Sequence, residues 1–521
     1  MFLLLLTACS RASDQVIIYI TATPAVTINQ AVPLAPPTQI TLQNSFAPTV
    51  TPLQPTRPPV RPSANATPVS VPYVVQTGDT LGALAAIYGV DVSNLLALNP
   101  MLSTADSAAL MPGQVISLPG QPSNGNVTPS LKIIPDSELV DSPSAVSFSV
   151  DQFISSLPGF LRVYSETYNG RLMSGSDIVN FLAQSNSINP RLLLALIEYR
   201  GHWLTNPVPD PDQLNYPLGY QAKGFEGLFR QLTWAASTLN YGYYGWKYRG
   251  ARLFTLIDGT RLATAPGINA GTAAVQYLLS RTVDRLTWQH DVGTSGLYAT
   301  YMALFGDPFQ YALEPLIPAN LIQPTMQLPF PQGETWYYTG GPHGGWDASS
   351  GWAAIDFAPP APPDALLTAQ GACYISPNTS LAAAGGLVVR SGDGAVVINL
   401  DLQTDERIGW SLTYLHIADP DRVAAGTIVK PGDPVGHPSC QGFDLNAIAT
   451  HLHVARRYNG EWLPADCWGC TADMNVPPFV LSGWRAVGLP AQIYQGTLEK
   501  AGQAVVRADQ GRMISNNHIS W

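Results

Sequence analysis

Ala449-Thr450-His451-Leu452-His453-Val454-Ala455-Arg456 runs through Arg457 into Tyr458-Asn459-Gly460-Glu461. The alternation of the first stretch and the Asn-Gly pair of the second read as a β-strand entering a hairpin turn. Side chains two apart on a strand share a face. His451 and His453 therefore leave the sheet together while Leu452 turns the other way. A His-x-His pair alone is more often two histidines on a polar sheet face. Here five of the chain's eight histidines, His343, His416, His437, His451 and His453, fall in one stretch. That density points to a metal site.

Further donors lie upstream on similar elements. Trp410-Ser-Leu-Thr-Tyr-Leu-His416 reads as a strand ending in a histidine. Gly340-Gly-Pro-His343-Gly-Gly-Trp346 is glycine-rich and puts a histidine on a loop. Ala353-Ala-Ile-Asp356-Phe-Ala-Pro-Pro360 is a short apolar strand interrupted by one acid. Such an acid is costly to bury unless it is paired or bound to a metal. Two histidines and one carboxylate, with a fourth position left to water, make a catalytic zinc set.

Five motifs in order, Gly340-Gly-Pro-His343, Ile355-Asp356-Phe-Ala, Tyr414-Leu-His416, Gly436-His-Pro-Ser-Cys-Gln-Gly442 and Thr450-His451-Leu-His453, resemble the lysostaphin-type zinc endopeptidases that cut peptidoglycan peptides, and most of all their β-lytic branch. The resemblance implies that His343, Asp356 and His453 hold zinc and that His416 and His451 flank the water and the substrate carbonyl. Zinc lowers the pKa of a bound water towards ~7 and polarises a carbonyl. A histidine, with its ordinary pKa of about 6.5, can act as base and then acid, and a second can donate to the developing oxyanion. His451 is assigned to the water and His416 to the oxyanion; sequence leaves the two interchangeable. His343-Gly-Gly-Trp-Asp347 satisfies the shorter His-x-x-x-Asp spacing of many members of the family, but Asp347 sits in a loop-like Trp-Asp-Ala-Ser-Ser-Gly, and the strand context favours Asp356. His437, before Pro438, reads as structural. His202, His290 and His518 stand alone and read as solvated or satisfied.

The chain begins Met1-Phe-Leu-Leu-Leu-Leu-Thr-Ala-Cys9. Leu6-Thr7-Ala8-Cys9 fits a bacterial lipobox, although the apolar run is too short to span a bilayer and lacks a positive n-region. Residues 1–23 are read as lipoprotein signal and lipobox. Residues 24–71 are a Pro/Thr-rich tether, as in Pro52-Leu-Gln-Pro-Thr-Arg-Pro-Pro-Val-Arg-Pro62, unable to bury a core. In residues 72–120, Thr80 is a plausible N-cap for a helix whose Leu81, Leu84 and Ile87 share a face, and Gly89 ends it. Val90–Pro100 is a second short helix, and Leu110–Pro119 closes with a strand. This strand-helix-helix-strand pattern resembles the lysin motif domain, which binds N-acetylglucosamine glycans. The resemblance places the glycan groove at Gly78-Asp79-Thr80 and Asn99-Pro100-Met101.

Residues 121–146 read as a second linker. Residues 147–325 show helical periodicity at 191–199, 228–236 and 270–279. Ile188–Trp203 faintly resembles the catalytic helix of lysozyme-like transglycosylases. Arg200 stands where that family has its glutamate, and Glu198 lies two residues early, about 160° round a helix. A lysozyme-like domain without catalysis is the expectation. Trp203, Tyr241, Tyr243, Tyr244 and Trp246 are candidates for glycan contact, with core packing the better reading for most of them.

Charged residues make up only 12% of the 521, and the net charge of −10 argues against nucleic acid. Apart from Cys9, the cysteines are Cys373, Cys440, Cys467 and Cys470, as suits an oxidising exterior. The expected pairs are Cys373–Cys440 and Cys467–Cys470. A zinc ribbon is the weaker reading, since only one pair has Cys-x-x-Cys spacing. The expected architecture is multidomain α+β: a βααβ lysin motif, an all-α lysozyme-like domain, an antiparallel β zinc peptidase at 326–484, and a β extension at 485–521. The expected function is a cell-envelope zinc metalloendopeptidase of peptidoglycan, lipid-anchored at Cys9. The alternative is a non-catalytic peptidoglycan-binding regulator of other hydrolases. Members of that kind lose the His/Asp set, which this chain keeps. A glycan hydrolase working from the middle domain is a third reading, which Arg200 opposes.

Overall fold

Thr80 and Gly89 bracket the first helix as their chemistry dictates. The Thr80 hydroxyl accepts from the Ala83 amide at 3.1 Å. Gly89 closes helix Leu81–Tyr88 in the left-handed conformation, φ 63°. Asp91 and Asn94 form a capping box for helix Val92–Leu98. Strands Ser70–Val74 and Val115–Pro119 pair antiparallel, with Tyr73 opposite Ile116. Tyr73, Leu81, Leu84, Leu95 and Leu118 fill the space between. This βααβ unit is seated on the helical region. Leu253 and Ala263 of that region enter its core, and Arg261 pairs with buried Asp79 at 2.5 Å. These facts come from a computed structural model, which describes residues 70–75, 79–102, 110–111, 113–120, 127–265, 267–362, 372–467, 470, 474, 476–490, 492–511 and 515–521. The lipobox, nearly all of the Pro/Thr-rich tether, and Gly78 of the expected groove lie outside the described residues.

In the helical region, helices Gly175–Asn186, Pro190–Gly201, Leu228–Tyr248 and Ala270–Leu279 surround a core that includes Ile178, Leu193, Ile197, Leu232 and Val275. Its start differs from expectation. Residues read as the end of a linker form helix Asp136–Leu139 and a 3-10 turn, Pro143–Ala145, with Ile133, Ile134, Leu139 and Val140 buried. Glu138, fully buried, pairs with Arg191 at 2.6 Å and accepts from Tyr301 at 2.5 Å. Proline here opens turns and caps rather than marking a spacer. Of the five candidate glycan-binding aromatics, Trp203, Tyr243 and Tyr244 are wholly buried and Trp246 partly so. Tyr241 is exposed and stacks on Tyr277.

Beyond the helical region, the described residues include a nine-stranded antiparallel sheet. Its order is Ile428–Val429, Gly386–Gly392, Ala395–Asn399, Trp410–Leu415, Leu452–Tyr458, Ala354–Ala358, Trp336–His343 and His518–Ile519, with Glu461–Trp462 pairing onto Leu452–Tyr458. Period-two alternation divides the sheet between two cores. Ile355, Phe357, Leu452 and Val454 face one core. Ala354, Ala395, Leu415 and Ala455 face the helices and share their core. Small alanines on that face let the helices approach, and Trp462 plugs the gap. Its indole donates to Asn186 O at 3.3 Å, and its amide donates to the Tyr244 hydroxyl at 2.9 Å. Glu461, fully buried, pairs with Lys247 at 2.7 Å and accepts from Tyr248 at 2.5 Å. Helical region and sheet thus pack as one body.

The C-terminal stretch is no appendage either. Val480–Leu481, Trp484–Leu489, Gln492–Glu499 and Val506–Arg507 form one small sheet, so a boundary at 484/485 would cut a hairpin. His518–Ile519 then returns to the main sheet beside Trp336–His343. Cys373–Cys440 and Cys467–Cys470 are both disulfide-bonded. No single described helix is long and apolar enough to cross a membrane.

Candidate metal centre

Three adjacent strands carry the donors. His453 and Asp356 are direct partners across Leu452–Tyr458 and Ala354–Ala358. His343 ends its strand rather than standing on a loop, brought round by irregular pairing after Gly340. The two glycines of Gly-Gly-Pro-His have steric reasons. A Cβ at Gly340 would lie 2.3 Å from the Asp356 carboxylate, and one at Gly341 would lie 2.6 Å from the Gln495 backbone. Asp356 Oδ1 stands 3.2 Å from His343 Nε2 and 3.2 Å from His453 Nδ1, and those two nitrogens are 3.0 Å apart. All three residues are buried.

The other nitrogen of each ring fixes the tautomer. His343 Nδ1 donates to Gly341 O at 2.8 Å, and His453 Nε2 donates to Gly345 O at 3.0 Å. A carbonyl only accepts, so the facing nitrogens carry lone pairs. Asp356 Oδ1 has no hydrogen-bond partner among the described residues. Two lone pairs and a carboxylate oxygen thus converge in a buried space, an arrangement that repels itself unless a cation sits there. Their spacing suits a four-coordinate ion with bonds of about 2.0 Å, whose ligand atoms lie about 3.3 Å apart. The backbone carbonyls are the outer partners that orient metal-binding imidazoles. The group fits zinc by donor type and spacing.

Asp347 is spent elsewhere. Its Oδ1 accepts from the Ser349 and Ser350 amides at 2.9 and 3.0 Å, tying a turn. His451 and His416 stand beside the three donors, their rings 4.6 Å apart. His451 Nδ1 donates to Ala449 O at 2.8 Å, and its Nε2 lies 3.6 Å from Asp356. His416 occupies a left-handed backbone conformation, φ 64°, just past strand Trp410–Leu415. Its Nδ1 donates to Gln441 O at 3.1 Å. Burial and the neighbouring His451 and His453 hold its pKa well below the ordinary value. In this tautomer His416 Nε2 is an acceptor, so the oxyanion-donor role expected of it exists only once the ring takes a proton. His437 donates to Asn378 O at 3.0 Å, as a structural histidine does.

Sequence reasoning missed Tyr494. Its ring stacks on His343 at 4.4 Å, from a backbone with φ 67°. It arrives on the C-terminal sheet, and the one sequence signal was the bare Gly341 against which Gln495 packs. Glu198 of the helical region is fully engaged, accepting from the Leu204 and Thr205 amides at 2.9 and 3.2 Å. Arg200 pairs with Asp291 at 2.6 Å.

Comparisons with known proteins divide along these lines. Residues 73–119 match the model of the LysM domain, and residues 132–320 match the model described as LasA, N-terminal domain. The family matched by the helical region is thus the LasA N-terminal domain, where the sequence had a faint resemblance to lysozyme-like helices. No curated protein matches the chain. Solved structures similar in part include pseudoalterin, an M23 metalloprotease from the deep sea, at 21% identity, covering 36% of this chain and 96% of that one, with a TM-score of 0.25. The catalytic domain of lysostaphin from Staphylococcus simulans is 20% identical, covering 24% and 81%, with a TM-score of 0.17. A putative peptidase M23 from Pseudomonas aeruginosa is 20% identical, covering 28% and 51%, with a TM-score of 0.19.

Proposed function

We propose that this chain is a zinc metalloendopeptidase that hydrolyses peptide bonds of peptidoglycan, brought to N-acetylglucosamine glycan by its LysM domain. The observation that carries the reading is the convergence of His343 Nε2, His453 Nδ1 and Asp356 Oδ1, three buried donors 3.0–3.2 Å apart. These residues would hold the ion. When bound, zinc supplies Lewis acidity to a carbonyl and lowers the pKa of water. His451, fixed with Nε2 as acceptor and partly open to solvent, takes the proton of the attacking water and returns it to the leaving amine. His416 Nε2 orients the same water as a second acceptor. It becomes a donor to the oxyanion only after protonation, which its burial resists. Tyr494 walls the site above His343. Two disulfides and the LysM domain accord with an extracellular, wall-facing setting. Lipid attachment at Cys9 belongs to the same proposal and rests on the lipobox alone.

His451→Ala tests the assignment. The variant should keep its metal and lose cleavage of purified peptidoglycan. Loss of the metal in that variant would mean that His451 is a ligand and that the roles are exchanged.

A further inference from the structure

Beside His416 lies a slot with room for about one water-sized group, about 10 Å³. Trp346 and Phe443 wall it and Asp444 reaches into it, and the described residues lining it include no lysine or arginine. The Asp444 carboxylate is poorly served. One oxygen takes a long hydrogen bond from the Trp346 indole, 3.4 Å, and the other is buried without a partner among the described residues. Burial pushes this carboxyl up to about 6.

The loop that carries Asp444 is held from outside the sheet. Phe443 packs edge-on against Phe181 at 5.2 Å, and the Arg171 guanidinium lies 3.9 Å over its ring. Asn169 donates to the Phe443 carbonyl at 2.6 Å, and Arg171 pairs with Asp393 across the slot's rim. Phe181, Asn169 and Arg171 all belong to the helical region. Gln441, in the same loop, supplies the carbonyl that orients His416. The chain next to Asp444 is therefore anchored by the helical region. With Arg171 committed to Asp393 and to the Phe443 ring, the described residues leave Asp444 no cation partner, and an unpaired carboxylate at a slot of this size is a recognition element for a small cation.

We propose that this slot is a substrate subsite for an ammonium group, with Asp444 as its counter-ion, so that the enzyme prefers peptides carrying a free amine near the scissile bond. This rests on the peptidase reading above. The amine is either the side-chain amine of a diamino residue or the α-amine of a peptide's first residue. The helical region acts as a positioning element for both the subsite and His416.

The test is calorimetric binding to the full chain carrying His451→Ala, so that ligands survive. Two peptide pairs are used: a lysine-containing tetrapeptide with and without Nε-acetylation, and pentaglycine with and without N-terminal acetylation. One pair should show the amine form binding about tenfold tighter or more, and Asp444→Asn should erase that difference. The pair that responds identifies the amine. If acetylation changes affinity in neither pair, absence of all binding included, the proposal is overturned without reliance on any Asp444 variant. A preference that survives Asp444→Asn overturns it as well. Amine preference in a chain whose unsubstituted form cleaves nothing would sink the peptidase reading and leave the subsite standing. Cleavage without preference would do the reverse.

Discussion

Gly345→Ala changes no ligand and no charge, yet it should weaken metal binding. A Cβ at Gly345 would lie 2.3, 2.6 and 2.8 Å from three carbons of the Trp462 ring. Ordinary carbon contacts are about 3.5–4.0 Å, so something must move by roughly an ångström. Trp462 cannot yield easily: it is fully buried, with its indole on Asn186 O and its amide on the Tyr244 hydroxyl. The Gly345 backbone must shift instead. Its carbonyl is the acceptor that orients His453, at 3.0 Å, and a shift of that size takes the bond past its useful limit of about 3.5 Å. Losing such an outer partner costs about 10–100-fold in metal affinity, and overpacking costs about 1–3 kcal/mol of stability. Competition titration with a zinc chelator measures the first and urea unfolding the second. A variant that binds zinc and unfolds like the parent protein would refute both the packing argument and the orienting role of the carbonyl.

Asp356→Ala should strip the metal and abolish cleavage, while Asp347→Ala, which loosens only the Ser349–Ser350 turn, should leave both largely intact; metal analysis of the two variants decides, and the opposite pattern would restore the short His-x-x-x-Asp pairing. Asp141 offers a pH test. Burial pushes its carboxyl up to about 7 from an ordinary 3.8, against the pull of Arg407. Its folded pKa lies above its unfolded one, so its share of stability is full below about pH 4 and is lost as pH rises through about 7. The parent protein should lose up to about 4 kcal/mol between pH 4 and 8 that Asp141→Asn retains. Parallel urea-unfolding profiles for the two would contradict the burial argument.

Where chemistry is local, sequence is readable. Thr80 and Gly89 announce their helix because caps act within a few residues. His451 and His453 announce a shared face because strand period is fixed. Asp356 stands out because an acid in Ile-Asp-Phe-Ala has to be compensated. What escaped is long-range. Trp462 meets Asn186 from 276 residues away, and no periodicity reveals that Ala354 and Ala455 are small to admit helices. The buried Glu138–Arg191 pair turned a proline- and serine-rich stretch into core, against its composition. Tyr494 reaches His343 only through the sheet that carries it. The tautomer of His416 depends on the Gln441 carbonyl, a backbone atom that side-chain reasoning does not see.

The most direct measurement is zinc content joined to activity. The full chain, purified without added metal and analysed by elemental mass spectrometry, should carry one zinc per molecule and release peptide fragments from peptidoglycan. Chelation should remove both, and added zinc should restore both. A chain that holds no zinc, and that cleaves no peptidoglycan when zinc is supplied, would contradict the account.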